Sequence, residues 1–372
     1  MTDRAAAARD ERWMRLALGL AARGLGNTWP NPAVGCVLIK DGHVVGRGFT
    51  QVGGRPHAET VALSQAGDAA RGATAYVTLE PCSHHGRTPP CAEALIQAGI
   101  ARCVVALEDP DPRVSGQGLE KLREAGIAVE LGLLGDEAAE LNSGFLLRVT
   151  QNRPLVTLKL ATSLDGRIAT HTRDSKWITD PVSRQRAHLL RAQHDAIMVG
   201  SNTALQDDPE LTCRLPGLPK RPNPRVVLDG RLRLPLTARL VATARQHPTW
   251  IVCREDADAT RREAFAACGV EVIAVPPAEN GLPDIRQALE ALAERGITRL
   301  LVEGGGQLAA SLIRTDLADR LMFFRAPAVI GGDGLASIAA FGVDTVAEAP
   351  RWRRLRADIL ADDLLETFAR PL

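Results

Sequence analysis

Apolar and polar positions alternate along this chain with two distinct periods, and the change from one to the other outlines its elements. Residues 10–24 place Trp13, Leu16, Ala17, Leu20 and Ala21 at helical spacing, which predicts an amphipathic helix ending at Gly24. Ala33–Lys40 then reads as a buried strand, Asp41-Gly42 as a hairpin turn and Val44–Gly48 as the return strand. A helix over 59–66, a strand over Ala73–Leu79, a helix over Ala92–Ala98 and a strand over Arg102–Leu107 follow. Gly118–Ala125 reads as a helix, Ala128–Leu131 as a strand and 136–148 as a helix. Strands alternating with helices after an initial hairpin predict a layered α/β domain with a mixed sheet.

The alternation restarts beyond the punctuated segment Thr150-Gln151-Asn152-Arg153-Pro154. Strands are expected at Leu155–Leu160, Ala196–Val199, Arg225–Leu228, Thr249–Val252, Val270–Ala274 and Arg299–Val302, and helices at 181–192, 260–268, 284–295 and 306–314. Pro216–Pro224, with four prolines, reads as a loop, and Arg351–Leu372 offers no crisp strand pattern. We therefore expect two domains, 1–147 and 148–372, consistent with a length of 372 residues at about 150 residues per domain.

Composition narrows the function. Lys plus Arg total 45 against 44 Asp plus Glu, a formal net charge of +1, and aromatics make up only 3%. A nucleic-acid binder would show a basic excess or stacking platforms, so neither DNA nor RNA is an expected partner. No run of about eighteen apolar residues occurs and Met1–Arg12 lacks an apolar core, so no membrane span or secretory signal is expected. The chain is expected in the cytoplasm. Its seven cysteines, an odd number, argue against a disulfide framework. Cys36 and Cys103 sit in apolar strands and read as core, whereas Cys82 and Cys91 bracket a polar segment.

The sharpest chemistry is His57-Ala58-Glu59 followed by Glu80-Pro81-Cys82 and Cys91. One imidazole and two thiolates suit zinc and leave a fourth position for water. Glu59, two residues beyond the histidine, is placed for proton transfer rather than ligation, as in the zinc deaminases. Pro81 and Pro90 suggest that both cysteines open helices, where the thiolate is favoured. A purely structural site completed by His84 or His85 is the alternative, and it leaves Glu59 without a task.

Eight residues separate the two cysteines, and this enlarged loop is distinctive. The stretch Thr78-Leu79-Glu80-Pro81-Cys82-Ser83-His84-His85-Gly86-Arg87-Thr88-Pro89-Pro90-Cys91, with Asn31-Pro32-Ala33-Val34-Gly35-Cys36, resembles the bifunctional riboflavin-biosynthesis deaminase/reductase family. The resemblance continues through Thr157–Ala169, Gly200–Pro209, Leu211–Arg214, Glu303–Leu308 and Gly331–Gly334, and covers about residues 10 to 345.

It implies a cytidine-deaminase-like three-layer α/β/α domain followed by a dihydrofolate-reductase-like α/β domain. The implied first reaction is zinc-dependent hydrolytic deamination of 2,5-diamino-6-ribosylamino-4(3H)-pyrimidinone 5′-phosphate, with Asn31, His84 and Arg87 touching substrate. The implied second reaction is NADPH-dependent reduction of the ribosyl side chain to the ribityl product. Ala161, Trp177, Thr203, Asp207 and the segment Gly305, Gly306, Gln307, Leu308, Ala309, Ala310 and Ser311 would line NADPH. Ser175, Arg191, Leu211, Arg214 and Glu303 would contact the phosphorylated substrate.

Arginine forks suit the 5′-phosphate. Lys159 is the residue expected to polarise or protonate the sugar as its ring opens, the alternative being a strand lysine paired with Asp165. Gly304–Gly306 would allow close backbone approach to a nucleotide, or simply turn the chain. Where the family carries a Gly-acidic pair before the serine, this chain reads His171-Thr172-Arg173-Asp174. The family also implies a homo-oligomer, either homodimer or homotetramer.

Overall fold

The computed structural model describes residues 2–84, 89–111, 115–218 and 222–371, with side chains from residue 7 onward. The chain divides into two compact units, Met1–Asn152 and Arg153–Leu372. The division falls later than the expected 147/148 because one continuous helix runs to Gln151.

The first unit runs α1 (Thr2–Ala21), β1 (Gly35–Lys40), β2 (His43–Phe49), α2 (Ala58–Ala66), β3 (Thr74–Val77), α3 (Cys91–Ala98), β4 (Arg102–Val105), α4 (Gln117–Glu124), β5 (Ala128–Leu131) and α5 (Gly135–Gln151). Its five strands form one sheet in the order β2-β1-β3-β4-β5. The hairpin β1–β2 and the pair β1–β3 are antiparallel, while β3, β4 and β5 are parallel.

Alternation along β1 decides which helices cover which face. Cys36 and Leu38 pack with Ala58 and Ala62 of α2, Leu95 of α3 and Leu119 and Leu122 of α4. Val37 and Ile39 pack instead with Met14, Ala17 and Leu18 of α1 and Ala138 of α5. The result is an α/β/α sandwich whose sheet is buried on both sides. Cys36 and Cys103 are both fully buried in it.

The second unit runs β6 (Leu155–Thr162), β7 (Arg167–Ala169), α6 (Pro181–Ala192), β8 (Ala196–Gly200), α7 (Ser201–Asp207), β9 (Arg225–Leu228), α8 (Arg239–Ala242), β10 (Thr249–Arg254), α9 (Ala259–Ala267), β11 (Glu271–Val275) and α10 (Ile285–Glu294). It continues with β12 (Arg299–Glu303), α11 (Gly306–Arg314), β13 (Arg320–Arg325), β14 (Leu335–Ala336), β15 (Arg353–Leu360) and β16 (Asp363–Ala369). Nine strands form the main sheet in the order β11-β10-β9-β8-β12-β6-β13-β16-β15. Strands from β11 to β13 pair in parallel, and β16 and β15 add an antiparallel edge. Parallel strands place their carboxyl ends on one side, where α/β folds bind ligands.

The hairpin β15–β16 corrects the expectation for residues 351–372. β15 is exposed over most of its length and carries Arg353, Arg354 and Arg356, so its sequence lacks an apolar period. Charged side chains on an edge strand discourage pairing with another chain. Among the described residues, no helix is long and apolar enough to cross a membrane.

Candidate active sites in the two units

In the first unit, His57 is the N-cap of α2 and Cys91 is the first residue of α3. Cys82 does not open a helix, contrary to the expectation from Pro81. It lies on an extended strap after β3, and the helix contributing to it is α3, because the Cys91 N–H donates to Cys82 Sγ at 3.3 Å. His57 Nδ1 lies 3.3 Å from Cys91 Sγ and 3.6 Å from Cys82 Sγ, so the three ligand atoms converge within 4.8 Å of one another.

The electrostatics fit a metal centre. A hydrogen bond from Cys91, helped by His57 and opposed by burial, holds the Cys82 thiol down to about 4, and the imidazole of His57 is raised through its contact with Cys82. One imidazole and two sulfurs at this separation form a donor set suited to zinc with an open fourth position. Glu59 is 3% exposed in the first turn of α2, and burial pushes its carboxyl up to about 7. A carboxyl poised there exchanges protons readily near neutral pH.

Asn31 reaches this region through the loop before His57. Its Nδ2 donates to the Gly54 carbonyl at 3.1 Å, and a Cβ on Gly54 would stand only 2.0 Å from that nitrogen. With φ at 83°, Gly54 is doubly suited to glycine. His84 is exposed and is not part of the converging ligand set. Arg87 lies outside the described residues.

The second unit holds a cavity of about 1340 Å³ at the carboxyl ends of β6, β8, β9 and β12. The expected substrate residues Ser175, Arg191, Leu211, Arg214 and Glu303 all line it, as does Lys159. Of the expected cofactor residues, Ala161, Trp177, Thr203, Asp207, Gly305, Gly306, Gln307, Leu308 and Ser311 line it too. Ala309 and Ala310 do not. They follow the first residues of α11 and are buried in the core, at 0% and 5% exposure.

Arg191 and Glu303 form a bidentate pair at this cavity, Nε to Oε1 at 2.5 Å and Nη2 to Oε2 at 2.9 Å. Asp165 accepts instead from Ser163 Oγ at 2.6 Å and from the N–H groups of Ile330 and Gly331, so the charge facing Lys159 is Glu303. Lys159 Nζ also lies over the Phe324 ring, 5.6 Å from its centre.

The glycine triplet has a conformational reason. Gly304 and Gly305 have φ of 77° and 87°, and a Cβ on Gly306 would meet the Ala336 carbonyl at 2.7 Å. The turn leaves an open approach to the first turn of α11, beside Thr203. An extended cavity with a helix start, a glycine turn, an exposed tryptophan and arginines fits a phosphorylated dinucleotide together with a phosphorylated substrate.

Two family profiles match the chain. The cytidine and deoxycytidylate deaminase zinc-binding region covers residues 7–107, and the RibD C-terminal domain covers residues 154–364. The riboflavin biosynthesis protein RibD of Aquifex aeolicus is 44% identical over 361 residues, 97% of this chain and 98% of that protein. The RibD protein of Escherichia coli is 42% identical over 357 residues, 92% of this chain and 95% of that protein.

Solved structures agree over the same span. Acinetobacter baumannii RibD superposes with a TM-score of 0.86 at 38% identity, covering 98% of this chain and 99% of that one. A diaminohydroxyphosphoribosylaminopyrimidine deaminase/5-amino-6-(5-phosphoribosylamino)uracil reductase from Thermotoga maritima gives a TM-score of 0.86 at 35% identity, with the same coverage.

Proposed function

Since the chain belongs to the RibD family of bifunctional riboflavin-biosynthesis enzymes, we propose that His57, Cys82 and Cys91 are its zinc ligands and Glu59 its deaminase proton carrier. The protein is a deaminase and a reductase in one polypeptide, using zinc in the first unit and NADPH in the second. The observation that carries the residue assignment is the convergence of one imidazole and two thiols beside a buried carboxyl.

We take the first substrate to be 2,5-diamino-6-ribosylamino-4(3H)-pyrimidinone 5′-phosphate, hydrolysed at ring C2 to release ammonia. Zinc, when bound, supplies an activated water. With its carboxyl pushed up to about 7 by burial, Glu59 has both its ionised and protonated forms accessible near neutrality. The carboxylate can take a proton from the water that adds at C2, and the resulting acid can give it to the departing amino nitrogen. Asn31 and His84 are proposed contacts to the substrate's ribose and ring, and Arg87 is the proposed phosphate contact.

In the second unit, NADPH supplies the reducing electrons. Trp177, Thr203, Asp207 and the start of α11 are proposed to seat it along the cavity. Arg191 and Arg214 are proposed to bind the substrate phosphate, and Ser175 and Leu211 to shape the wall beside it, a reading supported by all four lining the cavity. Lys159, half-buried and facing Glu303, delivers a proton to the ribose ring oxygen as reduction at C1′ opens the sugar. The product is 5-amino-6-(5-phosphoribitylamino)uracil.

The deciding experiment follows ammonia release and NADPH oxidation in one preparation supplied with the phosphorylated diaminopyrimidinone. Sequential appearance of both supports the reading. Bound zinc without ammonia release overturns it in favour of a structural zinc module. We further propose a cytoplasmic enzyme, supported by seven free cysteines, and a homodimer or homotetramer, resting on family likeness and testable by sedimentation.

A further inference from the structure

Glu80 stands inside the sequence signature, two residues before Cys82, yet neither reaction gives it a task. It is 4% exposed, and both of its carboxylate oxygens are engaged by backbone donors. Oε1 accepts from the N–H of Gly118 at 2.8 Å and of Leu119 at 3.4 Å. Oε2 accepts from the N–H of Gly116 at 3.0 Å and of Asp109 at 3.2 Å. Gly116 is the N-cap of α4 and has no side chain to satisfy the helix's open first turn, so Glu80 caps that turn from a distant part of the chain.

The strap Glu80-Pro81-Cys82-Ser83 is gripped at every residue. Glu80 N–H donates to the Leu107 carbonyl at 2.9 Å, and the Cys82 carbonyl accepts from Ala92 N–H at 3.2 Å. The Pro81 carbonyl lies so close to Gly118 that a Cβ there would stand 2.1 Å from its oxygen. Lys121 Nζ donates to the Ser83 carbonyl at 2.9 Å and pairs with Glu93 of α3 at 3.5 Å. α4 thus touches the segment of one proposed thiolate ligand and the helix of the other.

We propose that α4 is the buttress of the metal centre: Glu80, Gly118 and Lys121 set the position of the strap that presents Cys82 to His57 and Cys91. The inference rests on the reading that those three side chains hold zinc. Glu80 is a positioning residue acting through Cys82. The strap has no regular secondary structure of its own to fix it, so the direction of the sulfur depends on these outside contacts. Supporting groups of this kind orient ligands and tune metal affinity.

The test uses the full zinc-loaded chain and the variants Glu80→Gln, Gly118→Ala and Lys121→Met. The glutamine keeps the shape but turns an amide nitrogen toward two backbone donors. The alanine drives a methyl into the Pro81 carbonyl. Zinc transfer to a chromophoric chelator and the thiolate bands of the cobalt(II)-substituted protein are read, with NADPH-dependent reduction of the deaminated substrate as the integrity control.

Glu80→Gln and Gly118→Ala are expected to weaken zinc retention about 10–100-fold and to shift the cobalt bands, while reduction stays at the parental rate. Lys121→Met is expected to move both readouts in the same direction by less. Parental zinc affinity and cobalt spectra in all three overturn the buttress. Should the first two fail to fold, Lys121→Met decides alone, since its side chain is 39% exposed and its removal leaves the core intact. A parental chain that takes up no zinc overturns the ligand assignment itself, and the buttress with it.

Discussion

Lys159 and Glu303 are register partners on adjacent parallel strands, β6 and β12, with both side chains lining the cavity of the second unit. Burial presses the Lys159 ammonium below its ordinary pKa, Glu303 works against that, and Arg191 adds to it. An ammonium held this way releases a proton more readily than a solvated one, which suits it to protonating an opening sugar ring. Lys159→Met is expected to slow reduction about 10²–10⁴-fold, measured by NADPH oxidation with the deaminated substrate, with ammonia release unchanged. Full reductase turnover in that variant removes Lys159 from the mechanism.

Arg191 and Glu303 carry a pH signature. Burial alone would raise Glu303, but the charge and hydrogen bonds of Arg191, joined by Lys159, hold it down to about 2 from an ordinary 4.5. Folding is therefore favoured by this carboxylate above the unfolded value of 4.5, and the contribution is lost as pH falls toward 2. Glu303→Gln leaves a buried guanidinium without its counter-charge, at a cost of about 3–5 kcal/mol. Urea unfolding of the second unit between these pH values should show the parental protein losing stability more steeply than the variant. Equal acid slopes would remove the pair as the source.

Glu59 separates the two chemistries. Glu59→Gln, equal in size at a buried site, is expected to reduce ammonia release about 10²–10⁴-fold while zinc content and NADPH-dependent reduction remain parental. Removing zinc with a chelator should do the same reversibly. Retained deamination by the glutamine variant would exclude Glu59 as proton carrier.

Trp177 is 70% exposed at the cavity, and the Arg184 guanidinium lies 4.7 Å from its ring centre. An aromatic ring so open offers its face to a cofactor, a contact worth about 0.5–1.5 kcal/mol. Trp177→Ala should raise the KM for NADPH about twofold to thirteenfold with little change in kcat, the range that energy implies. Titration with NADPH should also change tryptophan emission in the parental protein and much less in Trp177→Phe. Identical titrations would place the cofactor away from this ring.

Much of this layout is legible in the amino-acid sequence, because local pattern and local chemistry agree. Cys36 and Leu38 against Val37 and Ile39 announce a strand covered on both faces, and His57, Glu59, Cys82 and Cys91 announce their chemistry by residue type and spacing. Other features depend on distant partners. The strap at Cys82 imitates a helix start because Pro81 favours one, but its polar groups are taken by Ala92 and Lys121. Glu80 is unreadable for the same reason: its partners Asp109, Gly116, Gly118 and Leu119 are remote in sequence. β15 escapes pattern reading because its surroundings are solvent rather than core. The burial of Ala309 and Ala310 of α11 in the core is likewise set by packing partners that the glycine-rich segment does not announce.

The boundary between the units is a single left-handed residue, Asn152, with φ at 50°, set between the end of α5 and Arg153. Because the polypeptide is continuous there, every act of translation delivers both catalysts in equal copy number. Expression level cannot favour deamination over reduction or the reverse, and the balance between them is left to the kinetics of each unit and the supply of its substrates.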